Sequence, residues 1–139
     1  MSTLFESLAE KGVLVEGTIL KPNMVVSGNE CSEQAGIQQV AEMTLNCLLE
    51  NVPSNLPGIT FLSGGQSDVD ATAHLDAMNK IGGSPWKLSF SYGRALQQAA
   101  LKTWSGKQEN EQAAQEAFSH RAKMNMLAAK GEWSENLEG

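Results

Sequence analysis

Three short apolar runs, each stopped by a proline or a glycine and each followed by a helix-length segment, constrain this chain more than any other feature. They are "GVLVEGTIL", ending at Lys21-Pro22; "GITFLS", ending at Gly64-Gly65; and "WKLSFS", ending just before Gly93. Their length and their β-branched and aromatic content predict strands. Between them, Ile37, Val40, Ala41, Leu45 and Leu48 recur at three- and four-residue spacing, which predicts an amphipathic helix from about Ser32 to Asn51. Ser67 reads as the N-cap of a second helix reaching Lys80, with Asp68 and Asp70 in its positive first turn. Further helices are predicted from Arg94 to Trp104 and from Gln108 to Ala129, and the start, "MSTLFESLAEKG", reads as a short amphipathic helix. Strands alternating with helices in this way call for an α/β fold with a parallel sheet and right-handed crossovers.

The 139 residues suffice for a single domain over 1–139, and 41% of them are hydrophobic. A formal charge of -6, with no basic stripe, argues against a nucleic-acid surface. No apolar run approaches the roughly 20 residues of a membrane span, and the start lacks the basic and apolar regions of a signal peptide. Cys31 and Cys47 flank one predicted helix, about 24 Å apart at 1.5 Å per residue, too far for a disulfide. Two reduced thiols fit a cytoplasmic protein.

In α/β folds the carboxyl ends of the strands carry the site. Three distinctive groups follow the three strands. Proline after Lys21 keeps that lysine extended at its strand terminus. An amine in such a place is a candidate to attack a ketone and form a Schiff base, although a lysine packing its stem with its head in water is the commoner case. After the second strand, Ser63-Gly64-Gly65 can be a plain turn, or glycines that let backbone N–H groups approach an oxyanion beside a serine hydroxyl. After the third, Gly93-Arg94 offers an amide, a helix N-terminus and a guanidinium suited to phosphate. Barrel proteins place a phosphate site in the loops after strands seven and eight. Together the three ends point to a phosphorylated carbonyl substrate handled by imine chemistry.

"EGTILKPNMV", "GITFLSGGQS" and "LSFSYGRALQ", in this order and spacing, resemble the last three barrel strands of class I fructose-1,6-bisphosphate aldolase, and "ALKTWSGKQEN" resembles the segment after them. The likeness runs from about Val13 to Lys130. It implies a partial (β/α)₈ barrel: about the last three βα units plus a C-terminal helix, since a closed barrel needs roughly 250 residues. It further implies that Lys21 is the Schiff-base lysine in the reversible cleavage of fructose 1,6-bisphosphate to dihydroxyacetone phosphate and glyceraldehyde 3-phosphate, in glycolysis and gluconeogenesis. Ser63, the Gly64 and Gly93 amides and Arg94 would hold the phosphate on the first carbon. No cofactor or metal is implied, and no role passes to Gln66 or Ser91.

The family's remaining strands carry its acid–base residue, a second lysine and further sugar-binding groups, and nothing here matches them. The chain thus reads as the C-terminal part of an aldolase, a truncated gene or fragment, with a catalytically inactive phosphate-binding or assembly remnant as the alternative. Glu16 is rejected as a substitute base because five residues from Lys21 puts it on the opposite strand face. The final tyrosine of the animal enzymes is absent; Tyr92 is the single tyrosine. A three-stranded sheet leaves open edges and an uncovered inward face, so a homo-oligomer is expected.

Other residues take plainer readings. Capping explains Asp68 and Asp70, and His74 and Asp76 have the wrong spacing for one metal-binding helix face. His120 reads as a solvated surface group and Trp86, Trp104 and Trp133 as packing anchors. The acidic tail "EWSENLEG" reads as mobile.

Overall fold

A computed structural model describes all 139 residues. The elements follow the predicted order: α1 (Ser2–Glu10), β1 (Ile19–Leu20), α2 (Ile37–Asn51), β2 (Gly58–Phe61), α3 (Asp68–Ile81), β3 (Lys87–Phe90), α4 (Arg94–Trp104) and α5 (Glu111–Lys130). The three strands form one parallel sheet in the order β1-β2-β3, with Leu20, Ile59 and Leu88 in register. The α/β class and the parallel sheet are as the sequence predicts.

The sheet separates two environments by the alternation of side chains along each strand. Ile59 and Phe61 are wholly buried and Leu88 nearly so, in one core with Val40, Leu45 and Leu48 of α2, Leu75 and Met78 of α3, and Met124 and Ala128 of α5. The opposite row is open. Ile19 there is 64% exposed, and Thr60 and Ser89 are half-buried.

Several boundaries differ from expectation, each for a local reason. The first strand is only two residues long, because Val15–Gly17 forms a 3₁₀ turn in which Gly17 N–H donates to Leu14 O and the Thr18 amide and hydroxyl both donate to Val15 O. Local side-chain and turn bonds here win over the ladder. Helix α2 starts at Ile37 and not near Ser32. The preceding loop is instead held by Ala35 N–H donating to Ser27 Oγ and by the Gln34 amide donating to Gly28 and Cys31 carbonyls. Cys31 lies in that loop and Cys47 in α2, both as free thiols. The helix expected from Gln108 begins at Glu111, after a 3₁₀ turn at Gln108–Asn110.

The tail is the larger correction. It is not loose: Trp133 is buried, its backbone N–H donates to Asp76 Oδ1 at 2.9 Å, and Lys80 Nζ donates to its carbonyl at 2.8 Å. Glu138 accepts from Trp133 Nε1 and from both terminal nitrogens of Arg121, a guanidinium buried between α3 and α5. His120 also departs from expectation, turning Nε2 to 3.6 Å from Glu138. Of the tryptophans, Trp86 and Trp133 are packing anchors, with Trp86 Nε1 donating to Pro53 O; Trp104 is 45% exposed.

Candidate functional site at the carboxyl ends of the strands

Because the strands are parallel, their carboxyl ends lie along one edge of the sheet, and all the predicted site residues sit there. Lys21 follows β1 directly. Leu62 N–H donates to Pro22 O at 3.1 Å and Ser91 N–H to Phe61 O at 3.0 Å, so the ladder carries the chain order past each strand end. Proline gives no donor in return, which ends β1 at the lysine. Strand alternation puts Lys21 in the open row with Ile19, and Lys21 is exposed with no ion-pair partner.

After β2 the chain turns sharply, with Gln66 N–H donating to Ser63 O at 2.9 Å. Gly64 and Gly65 hold φ of +45° and +87°, which side-chain-bearing residues rarely adopt. A Cβ on Gly64 would also lie 2.2 Å from Asn23 Oδ1, in the loop after β1. Glycine therefore lets the first two strand ends close up. Ser63 is buried, at 6% exposure, and the Gly64 amide donates to nothing within the chain.

After β3, Gly93 is the N-cap of α4, no side chain caps it, and its own amide is also free. The space around it is open; an added Cβ would meet nothing within 4 Å. Arg94 begins the helix, exposed and without an ion-pair partner. The edge thus presents two unpaired cations and unpaired backbone donors, a combination suited to an anion.

Glu16 is no part of this edge. It lies in the 3₁₀ turn, so strand parity does not apply to it, and its carboxylate accepts from Asn55 Nδ2 at 2.8 Å.

The family model described as "Fructose-bisphosphate aldolase class-I" matches residues 1–139. The chain belongs to the class I fructose-bisphosphate aldolase family. It is 56% identical over 134 residues to a probable fructose-bisphosphate aldolase class 1 from Xylella fastidiosa, covering 96% of this chain and 40% of that protein. It is 47% identical over its whole length to the fructose-bisphosphate aldolase of Plasmodium falciparum, covering 38% of that protein. A solved structure of the Plasmodium falciparum aldolase, in complex with TRAP and a small molecule inhibitor, matches with a TM-score of 0.92 at 48% identity, over 96% of this chain and 38% of that one. The chain spans about 40% of the length of these aldolases.

Within the aldolase segment, two groups at this edge escaped sequence reasoning. Asn23 packs on Gly64, and Gln66 Oε1 lies 2.6 Å from Nδ1 of the buried His74. Burial pushes the His74 imidazole below its usual value, and the Asp70 charge only partly offsets this. The available signal was slight: a histidine seven residues after an N-cap serine, on the side of α3 that its apolar neighbours Ala71, Leu75 and Met78 mark as buried.

Proposed function

We propose that this chain is the imine-forming and phosphate-binding part of a class I aldolase barrel, its strands corresponding to the last three of a (β/α)₈ frame. Lys21 attacks the ketone of fructose 1,6-bisphosphate. The protonated imine, formed as the ketone oxygen leaves as water, draws electrons from the bond between the third and fourth carbons. The hydroxyl on the fourth carbon gives its proton to a base, glyceraldehyde 3-phosphate departs, and the dihydroxyacetone phosphate enamine stays on the lysine. Ser63, the Gly64 and Gly93 amides and the Arg94 guanidinium hold the phosphate on the first carbon. The reaction needs no metal. The setting is the cytoplasm, in glycolysis and gluconeogenesis.

One observation carries this reading: Lys21, the Gly64 amide and Gly93-Arg94 stand unpaired along a single sheet edge. Free cations beside unpaired backbone donors at neighbouring strand ends are available together to an anionic ligand. Borohydride added with fructose 1,6-bisphosphate should trap a covalent adduct on Lys21, located by peptide mass. Lys21→Ala should abolish the adduct, and trapping that persists on another lysine would refute the assignment.

A second reading is favoured by the exposure of Lys21. In water an ammonium is well solvated, and a lysine that attacks carbonyls needs a drier or more cationic setting. The acid–base groups implied by the family resemblance are on strands outside this sequence. In that reading the isolated chain binds phosphate without turnover. Phosphate binding without adduct would select it.

The open row of the sheet and the exposed Ile19 support self-association, since copies can cover one another's faces or edges. A homo-oligomer is the expected state; a monomer by light scattering at micromolar concentration would overturn this.

A further inference from the structure

We propose that Gln66 and His74 are positioning residues for the phosphate cradle, bracing the Ser63-Gly64-Gly65 turn from behind. This rests on the reading of that turn as a phosphate site, and it follows from how the turn is supported. Two successive glycines at positive φ have no side chains with which to pack, so the turn has little rigidity of its own. In front, Gly64 rests on Asn23, an exposed side chain. Behind, a cavity of about 320 Å³ opens between the turn, Asn29 and Gln34 of the preceding loop, and the start of α2. Packing therefore does not fill that side.

What does reach the turn is Gln66, the residue directly after the glycines. Its amide N–H closes the turn onto Ser63 O, and its side-chain oxygen meets His74 Nδ1 at 2.6 Å. His74 is itself 93% buried, on a helix whose Ala71, Thr72 and Leu75 are wholly buried. The pair thus ties a flexible turn to a fixed helix. A Gln66 Oε1 acceptor pairs with the His74 tautomer that carries its proton on Nδ1. Gln66 Nε2 is buried beside this contact with no partner, so the pairing is kept at the expense of a second hydrogen bond.

The test is a titration of the whole chain with inorganic phosphate, following the amide resonances of Gly64, Gly65 and Gly93. In the unsubstituted chain all three should shift. Gln66→Met, which keeps the length and removes the acceptor, should weaken the response at Gly64 and Gly65 by about tenfold, the scale on which a lost side-chain hydrogen bond acts. His74→Leu should do the same, and His74→Asn, whose amide can donate in place of Nδ1, should recover to within about threefold. Without phosphate, exchange of the residue-66 backbone amide, which donates to Ser63 O, should quicken in Gln66→Met while that of α3 stays unchanged, an outcome a general loss of structure would not give. Should His74→Leu fail to fold, Gln66→Met at its half-buried position decides alone. An undiminished phosphate response in Gln66→Met overturns the brace and leaves the cradle standing. No response at any of the three glycines in the unsubstituted chain overturns the cradle, and the brace falls with it.

Discussion

Two clusters of charge in this molecule are built on opposite principles. At the carboxyl ends of the strands Lys21 and Arg94 stand in solvent with no internal partner. Between α3, α5 and the tail, Arg121 is buried and surrounded: Glu138 accepts from both terminal nitrogens, Nη1 also donates to Thr72 Oγ1 at 3.1 Å, and Asp68 lies 3.6 Å from Nε. The neighbouring carboxylate Asp76 is likewise paired, with Lys80 at 2.6 Å and the Trp133 amide. Burial makes the difference. A charge removed from water must be neutralised where it lies, whereas a charge kept in water can wait for a ligand. The same residue type is structural in one place and available for binding in the other.

The sharpest way to break this contrast is Arg121→Met. It leaves Glu138 and Asp68 without their cation, and denaturant unfolding should show a loss of about 3 kcal/mol. A loss below about 0.5 kcal/mol would mean that the tail junction is no more structural than the strand ends. Arg94→Met is the mirror experiment. Stability should move by less than about 0.5 kcal/mol, as at an exposed site, while phosphate affinity falls by at least about tenfold for a lost charge-assisted bond. Unchanged affinity would remove Arg94 from the cradle.

Ser67→Ala probes the junction between the two regions. Ser67 Oγ accepts from Asp70 N–H at 3.0 Å at the start of the helix that carries His74 and Asp76. Loss of the cap should cost about 1 kcal/mol in the same unfolding assay.

The smallest effect expected is a dependence on pH. Burial pushes Glu138 upward, but hydrogen bonds from Arg121 and Trp133 and the charges of Arg121 and His120 together bring it below its ordinary 4.5. Burial brings His74 below its ordinary 6.5, against the pull of Asp70. Both folded values are depressed, so both contributions are full above the unfolded values and are lost as pH falls through the folded ones. Stability should decline first below about pH 6.5, through His74, and again below about 4.5, through Glu138. His74→Asn should remove the first step and Arg121→Met should shrink the second. A rise in stability on acidification over either interval would contradict the sign.

Much of the fold was legible because its signals are local. A proline after Lys21, glycines after Ser63, a serine before Asp68 and a three- and four-residue apolar rhythm each act within one or two turns of chain. So β2, α3, β3 and α4 came out close to their predicted places. Where local bonds compete, prediction was poorer: Thr18 and its turn shortened β1, and Ser27 and Gln34 held the loop that delays α2. The site residues could be nominated because each directly follows a strand. Their support could not. Asn23 meets Gly64 from another strand's loop, and the partner of Gln66 is fixed only once α3 is docked.

By itself, then, the sequence determined the alternation of strands and helices, the glycines and caps that end them, and the family to which the chain belongs, because these follow from short-range conformational preference and from motif. Only the tertiary structure decided that the tail is pinned, that Trp104 is exposed while Trp133 is buried, and which charges are neutralised. Those outcomes depend on residues such as Thr72 and Arg121, or Asp76 and Trp133, that are 49 and 57 positions apart. Whether a side chain is dry or wet is a property of what packs over it, and no local stretch of chain contains that information.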